Sequence, residues 1–101
     1  MGLFGTLKDL LLGGRVDYKG LVENGALIVD VRTPQEYKSG HVKGSINIPL
    51  QTLLSNLKKV KNKEVILVCR SGARAAQAKS MLTSKGITAY NAGPWQTLRN
   101  L

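Results

Sequence analysis

Val65-Ile66-Leu67-Val68-Cys69-Arg70-Ser71-Gly72-Ala73-Arg74 is the stretch from which the rest of the chain is read. Its first four residues are apolar with no polar residue alternating among them, the pattern of a strand buried on both faces of a parallel sheet. The run stops at Cys69, the one cysteine of the protein. Beyond Arg74, Ala75, Ala78 and Leu82 recur at helical spacing with Met81 beside them, and Gly86 stands where a C-terminal cap belongs. Residues 69–74 are therefore predicted to join the C-terminal end of a strand to the N-terminal end of a helix.

Such a junction has chemical consequences. The first N–H groups of a helix lack intrahelical partners, and the aligned peptide dipoles leave partial positive charge there. A thiol facing this end, with Arg70 and Arg74 in the same loop, is expected to ionise readily, and the thiolate is the nucleophilic form. Ser71, Gly72 and Ala73 are small enough for backbone amides to approach a bound anion closely. The plainer alternative is a buried cysteine serving as a small apolar residue at a strand end. The basic, small-residue loop after it favours the reactive reading.

Cys69-Arg70-Ser71-Gly72-Ala73-Arg74 resembles the active loop of rhodanese-type sulfurtransferases. A second block, from Asp30-Val31-Arg32-Thr33-Pro34-Gln35-Glu36-Tyr37 through Gly40-His41-Val42 to Asn47-Ile48-Pro49, resembles the other signature of the same family. The resemblance covers about residues 15 to 95 and implies a single-domain form of that α/β fold, with a small, mostly parallel central sheet and helices on both faces. It also implies a cysteine that carries a persulfide, and basic loop residues that bind the donor, without fixing which arginine does so. Arg70, Ser71, Gly72, Ala73 and Arg74 are the candidate substrate-binding residues around a catalytic Cys69, although one arginine could instead bridge to Asp30 or Glu36. Asp30 and Arg32 are expected to hold neighbouring loops by hydrogen bonds. His41, the single histidine, is expected to brace a turn and not to act as a base, since a pre-ionised thiolate needs none.

The remaining elements follow in order. Residues 1–14 form an amphipathic segment, with Leu3, Phe4, Leu7, Leu10 and Leu11 on one face, expected to pack on the domain of residues 15–101. That segment is too short to span a bilayer. Arg15-Val16 is read as a short edge strand, Asp17 as the cap of a helix reaching about Asn24, and Ala26 to Val31 as a strand. Thr33, Pro34 and Glu36 make a helix start with a capping box, and Gly40 ends that helix. Ser45 to Ile48 is a further short strand, and Leu50, Leu53, Leu54, Leu57 and Val60 mark a helix buried along one side. Ile87 to Tyr90 is predicted as the last strand and residues 91–95 as a loop, with Trp95 anchoring a C-terminal helix or walling the pocket. Strands alternating with helices argue for a covered parallel sheet.

Composition bounds the function classes. One domain's worth of chain, 101 residues, holds one cysteine, which excludes an internal disulfide and a Cys-rich zinc site and fits a reducing, cytoplasmic setting. No metal or other cofactor is expected. Sulfur loaded on Cys69 has no resolving thiol in these residues, so it must leave to an external thiol or protein acceptor. The net charge of +9 favours small anionic, thiosulfate-like donors and acidic partners. Nucleic acid is disfavoured, because aromatics are few and only Lys58, Lys59, Lys61 and Lys63 form a basic run; no membrane association is expected. Two other classes compete. Cysteine phosphatases use a longer loop, with five residues between Cys and Arg instead of the four here, and a general acid that this loop lacks. Non-catalytic binding or regulatory modules of the same fold lose the cysteine, which this chain retains.

Overall fold

The computed structural model describes residues 16–101. The amphipathic segment 1–14 and Arg15 lie outside the described residues; Val16, read as part of an edge strand, belongs to no strand. Four strands, β1 (Leu27–Asp30), β2 (Ile46–Asn47), β3 (Val65–Cys69) and β4 (Ala89–Pro94), make one sheet in the order β2-β1-β3-β4 with every neighbouring pair parallel. Leu27 lies opposite Val65 and Asp30 opposite Val68, so β3 runs one residue, Cys69, past the end of β1.

The helices are α1 (Tyr18–Glu23), α2 (Pro34–Lys38) and α3 (Ala73–Ser84). All five β3 residues are buried, as the unbroken apolar run requires. Their side chains alternate between two cores. Val65, Leu67 and Cys69 join Leu53, Val60, Ala75, Ala78 and Leu82 beneath α3, whereas Ile66 and Val68 join Ile28, Val42 and Leu98, with Tyr18, Leu21 and Trp95 packed against them. Burying one such side chain contributes about 1.5–3 kcal/mol, which makes β3 the most heavily anchored element of the sheet.

The caps follow the sequence. The Asp17 carboxylate accepts from the Gly20 N–H, and Thr33 and Glu36 form the reciprocal capping box that opens α2. Gly86, just past α3, takes the left-handed conformation at φ 77°.

Two expectations are corrected. Residues Leu50–Lys59 form a 3₁₀ segment interrupted at Asn56 in place of one regular helix, while Leu50, Leu53, Leu57 and the following Val60 still pack on the core from one side as expected. At three residues per turn Leu50 and Leu53 share a face, and the break at Asn56 rotates Leu57 and Val60 back onto it. Leu54 is left outward, 49% exposed. The last strand, in turn, begins at Ala89 and continues through the expected loop to Pro94. Gly93 and Pro94 read as turn residues, yet β4 is an edge, where the missing proline N–H breaks no ladder. Its pairing with β3 shifts register between Leu67 and Cys69. A 3₁₀ turn, Trp95–Leu98, follows in place of the expected helix.

Candidate active site

Parallel strands place the loops after their C-terminal ends on one edge of the sheet, where α/β folds build their sites. Here that edge collects Asp30 from β1, Cys69 from β3 and the residues entering α3. Cys69 is in no disulfide and is wholly buried, counted among the core residues under α3. Its Sγ nevertheless meets a polar group, the Gly72 N–H, which donates to it at 2.8 Å. The chain reverses over the sulfur because Gly72, the residue before α3, sits at φ 103°. A side chain there would suffer left-handed strain and would meet Gly93 Cα at 3.4 Å.

Around this turn the arginines divide. Arg74 Nη1 and Nη2 donate to the two carboxylate oxygens of Glu36, at 2.7 and 3.0 Å, tying α3 to α2. The same bonds hold the Glu36 carboxyl down at about 2, with the Arg74 hydrogen bond as the main cause, and raise Arg74. Of the two destinations open to an arginine, Arg74 thus takes Glu36. Arg70 is exposed and makes no ion pair among the described residues. Ser71 and Ala73 are exposed as well.

Asp30 and Arg32 form the buried frame. The Arg32 guanidinium donates from Nε and Nη2 to the Asp30 carboxylate at 2.7–3.0 Å, and Nη2 also reaches the Gly40 carbonyl at 2.6 Å. The Arg32 backbone N–H adds a further bond to Asp30. The guanidinium carbons of Arg32 and Arg99 stand over the Trp95 ring, 5.1 and 5.0 Å from its centre. His41 is exposed and stacks on Tyr37, centroids 3.7 Å apart, with Nδ1 2.7 Å from the Tyr37 carbonyl.

Two asparagines were not singled out by the sequence. Asn91 Nδ2 donates to the Gly72 carbonyl at 3.1 Å, and Asn91 Oδ1 accepts from the Gly93 N–H at 2.8 Å. It connects β4 to the residue that covers the sulfur. The available signal was an asparagine two residues before a glycine, the pattern of a local side-chain turn. Asn47 Nδ2 similarly donates to the carbonyls of Asp30 and Arg32, both at 2.9 Å.

A family model for the rhodanese-like domain matches residues 15–94. The chain is 39% identical over 69 residues to the thiosulfate sulfurtransferase PspE of Escherichia coli K12, covering 64% of this chain and 66% of that one. It is 34% identical over 86 residues to a tRNA sulfurtransferase of Thermoplasma acidophilum, covering 83% of this chain but only 18% of that longer protein. Among solved structures, a rhodanese with anions from E. coli superposes with TM-score 0.67 at 32% identity, over 72% of this chain and 91% of that one.

Proposed function

Because the chain belongs to the rhodanese-like domain family, we propose that it is a sulfurtransferase whose Cys69 carries sulfane sulfur as a persulfide. Sulfur transfer is the family-level role that its relatives named sulfurtransferases support. The observation that carries the reading is the Gly72 N–H directed at Cys69 Sγ from 2.8 Å, beneath a loop that opens the long helix α3.

In the proposed cycle, the Cys69 thiolate attacks the outer sulfur of thiosulfate. A new S–S bond forms, the bond to the sulfonate sulfur breaks, and sulfite departs with that electron pair. The outer sulfur of the persulfide, carrying the negative charge, rests against the loop amides. An acceptor, cyanide in an assay or a thiol of a small molecule or protein, then attacks this sulfur and returns the electron pair to Cys69. Two half-reactions through a covalent intermediate give ping-pong kinetics. Preformed amide donors stabilise the charged sulfur without reorganising during the reaction.

Arg70 is the proposed donor-binding cation, because the Arg74 guanidinium is engaged by Glu36. Arg74 then serves by holding the loop against α2. Cys69 is wholly buried, so the sulfur is approached past the loop whose Arg70 and Ser71 side chains face solvent.

Incubation with thiosulfate should add the mass of one sulfur atom to the intact protein, and cyanide should remove it as thiocyanate. Cys69→Ala should abolish both, with a drop in turnover of about a thousandfold or more, and leave the circular dichroism spectrum intact. Hydrolysis of an aryl phosphate without thiocyanate formation would instead assign the loop to the phosphatases.

A further inference from the structure

The lysine run at residues 58–63 is not used by the chemistry at Cys69, and the fold gives it a shape. Lys58, Lys61 and Lys63 come together with Lys85, from the end of α3, around a groove of about 620 Å³. The groove includes Glu64 and Thr88, the residues just before β3 and β4, so it lies at the N-terminal ends of parallel strands. Cys69 stands at the opposite end of the same strand.

All four lysines are exposed, and none makes an ion pair among the described residues. Between them Leu57 and Ile87 supply a half-buried apolar wall. The chain bends there through Asn62, which holds a left-handed conformation at φ 64° that non-glycine residues seldom adopt. The one acid in the lining, Glu64, accepts a hydrogen bond from the Tyr90 hydroxyl at 2.7 Å and leaves the groove cationic.

We propose that this groove is a docking site for an acidic segment of a partner protein, with carboxylates against the lysines and an apolar side chain on Leu57 and Ile87. Charge complementarity selects an anionic occupant, and the apolar wall narrows it. A nucleic-acid backbone would answer the lysines but leave that wall uncovered, and no aromatic side chain lines the groove to stack a base. A membrane surface is flat, whereas these charges ring a concavity. Residues 1–15 contain a single acid, Asp9, against Lys8 and Arg15, so their sequence lacks the negative charge that the groove selects. A partner held here leaves the Cys69 end uncovered and raises the local concentration of any group tethered to it. The proposal goes beyond sulfur transfer and does not depend on it.

The test uses the full chain and fluorescence anisotropy of a labelled peptide of repeating Glu-Glu-Leu. A Glu-Glu-Ser peptide, a single-stranded RNA of equal length and phosphatidylserine vesicles serve as competing probes. The Glu-Glu-Leu peptide should bind tightest, and Lys58→Glu, Lys61→Glu and Lys85→Glu combined should raise its Kd about tenfold or more. Lys79→Glu, on α3 but outside the groove, should change it less than about twofold. Thiocyanate formation at saturating thiosulfate should be unchanged in the triple variant, showing that the far end is intact. Equal binding of the Glu-Glu-Ser peptide, tighter binding of RNA or vesicles through the same lysines, or indifference of Kd to the triple reversal would each overturn the proposal.

Discussion

At the residue scale, the placement of one N–H over one sulfur depends on Gly72 itself and on Asn91, a residue outside the loop. Gly72 turns the chain left-handed, and Asn91 fixes its carbonyl, which accepts both the Asn91 amide at 3.1 Å and the Ala76 N–H at 2.9 Å. Those two bonds hold the Gly72–Ala73 peptide, next to the Ser71–Gly72 peptide whose N–H points at Sγ. Asn91→Ala removes the bond to Gly72 and the one from Gly93. It should cost about 1–2 kcal/mol of stability in chemical denaturation. It should also lower kcat about tenfold with KM held within about twofold, because the change loosens the proposed amide cradle and leaves the proposed donor-binding Arg70 untouched. A rise in KM with kcat intact would show that Asn91 serves donor binding instead.

At the element scale, two ion pairs join the site's supports, and their burial makes them behave differently. Asp30 is fully buried against an Arg32 side chain that is 5% exposed, so Asp30→Ala strands a buried guanidinium. The expected loss is about 3–5 kcal/mol by denaturant titration, whereas Asp30→Ala with Arg32→Ala should lose less, because no unpaired charge remains. Arg74 and Glu36 are each 30% exposed, and their pair is worth about 1 kcal/mol or less. Its signature is in pH. The Glu36 carboxyl lies at about 2 in the folded chain, below the ordinary 4.5, mainly through its hydrogen bond from Arg74. The resulting stabilisation is present in full above about 4.5 and is lost as pH falls toward 2. Glu36→Gln should flatten the fall of unfolding free energy across that window, and an unaltered slope would mean the pair is not formed in solution. How much of these elements could be read in advance depended on how local their cause is. Strand β3, the α2 capping box and the helix after Cys69 follow from neighbours in sequence, so their residues announced them. Leu54 facing outward, Asn91 reaching Gly72, and Gly93-Pro94 lying in a strand each depend on where a distant segment packs. Which arginine Glu36 takes was undecidable from the chain for the same reason, since the bonded residues lie 38 positions apart.

At the scale of the whole molecule, the parallel sheet gives the domain two chemically distinct ends, with the sulfur at one and the lysine groove at the other. The described residues extend 40 × 29 × 23 Å, so charges at one end are felt at the other only when screening is weak. The screening length is about 30 Å at 0.01 M ionic strength and about 8 Å at 0.15 M. A net charge of +9 should therefore draw a dianionic donor from every side at low salt, while at higher salt only nearby cations count. For thiosulfate, kcat/KM should fall several-fold between those two ionic strengths, with kcat nearly constant, since the attraction acts before chemistry. Charge reversal at Lys58, Lys61 and Lys85 should lower kcat/KM at the lower ionic strength and leave it unchanged at the higher one. Arg70→Ala should lower it at both, because that guanidinium belongs to the loop over the sulfur and is not screened from a donor in contact with it. Steady-state rates across a salt series, on these variants and the parent, separate the two behaviours. If Arg70→Ala loses its effect at higher salt just as the groove variant does, Arg70 contributes only to the long-range field, and the donor is bound by the loop amides alone.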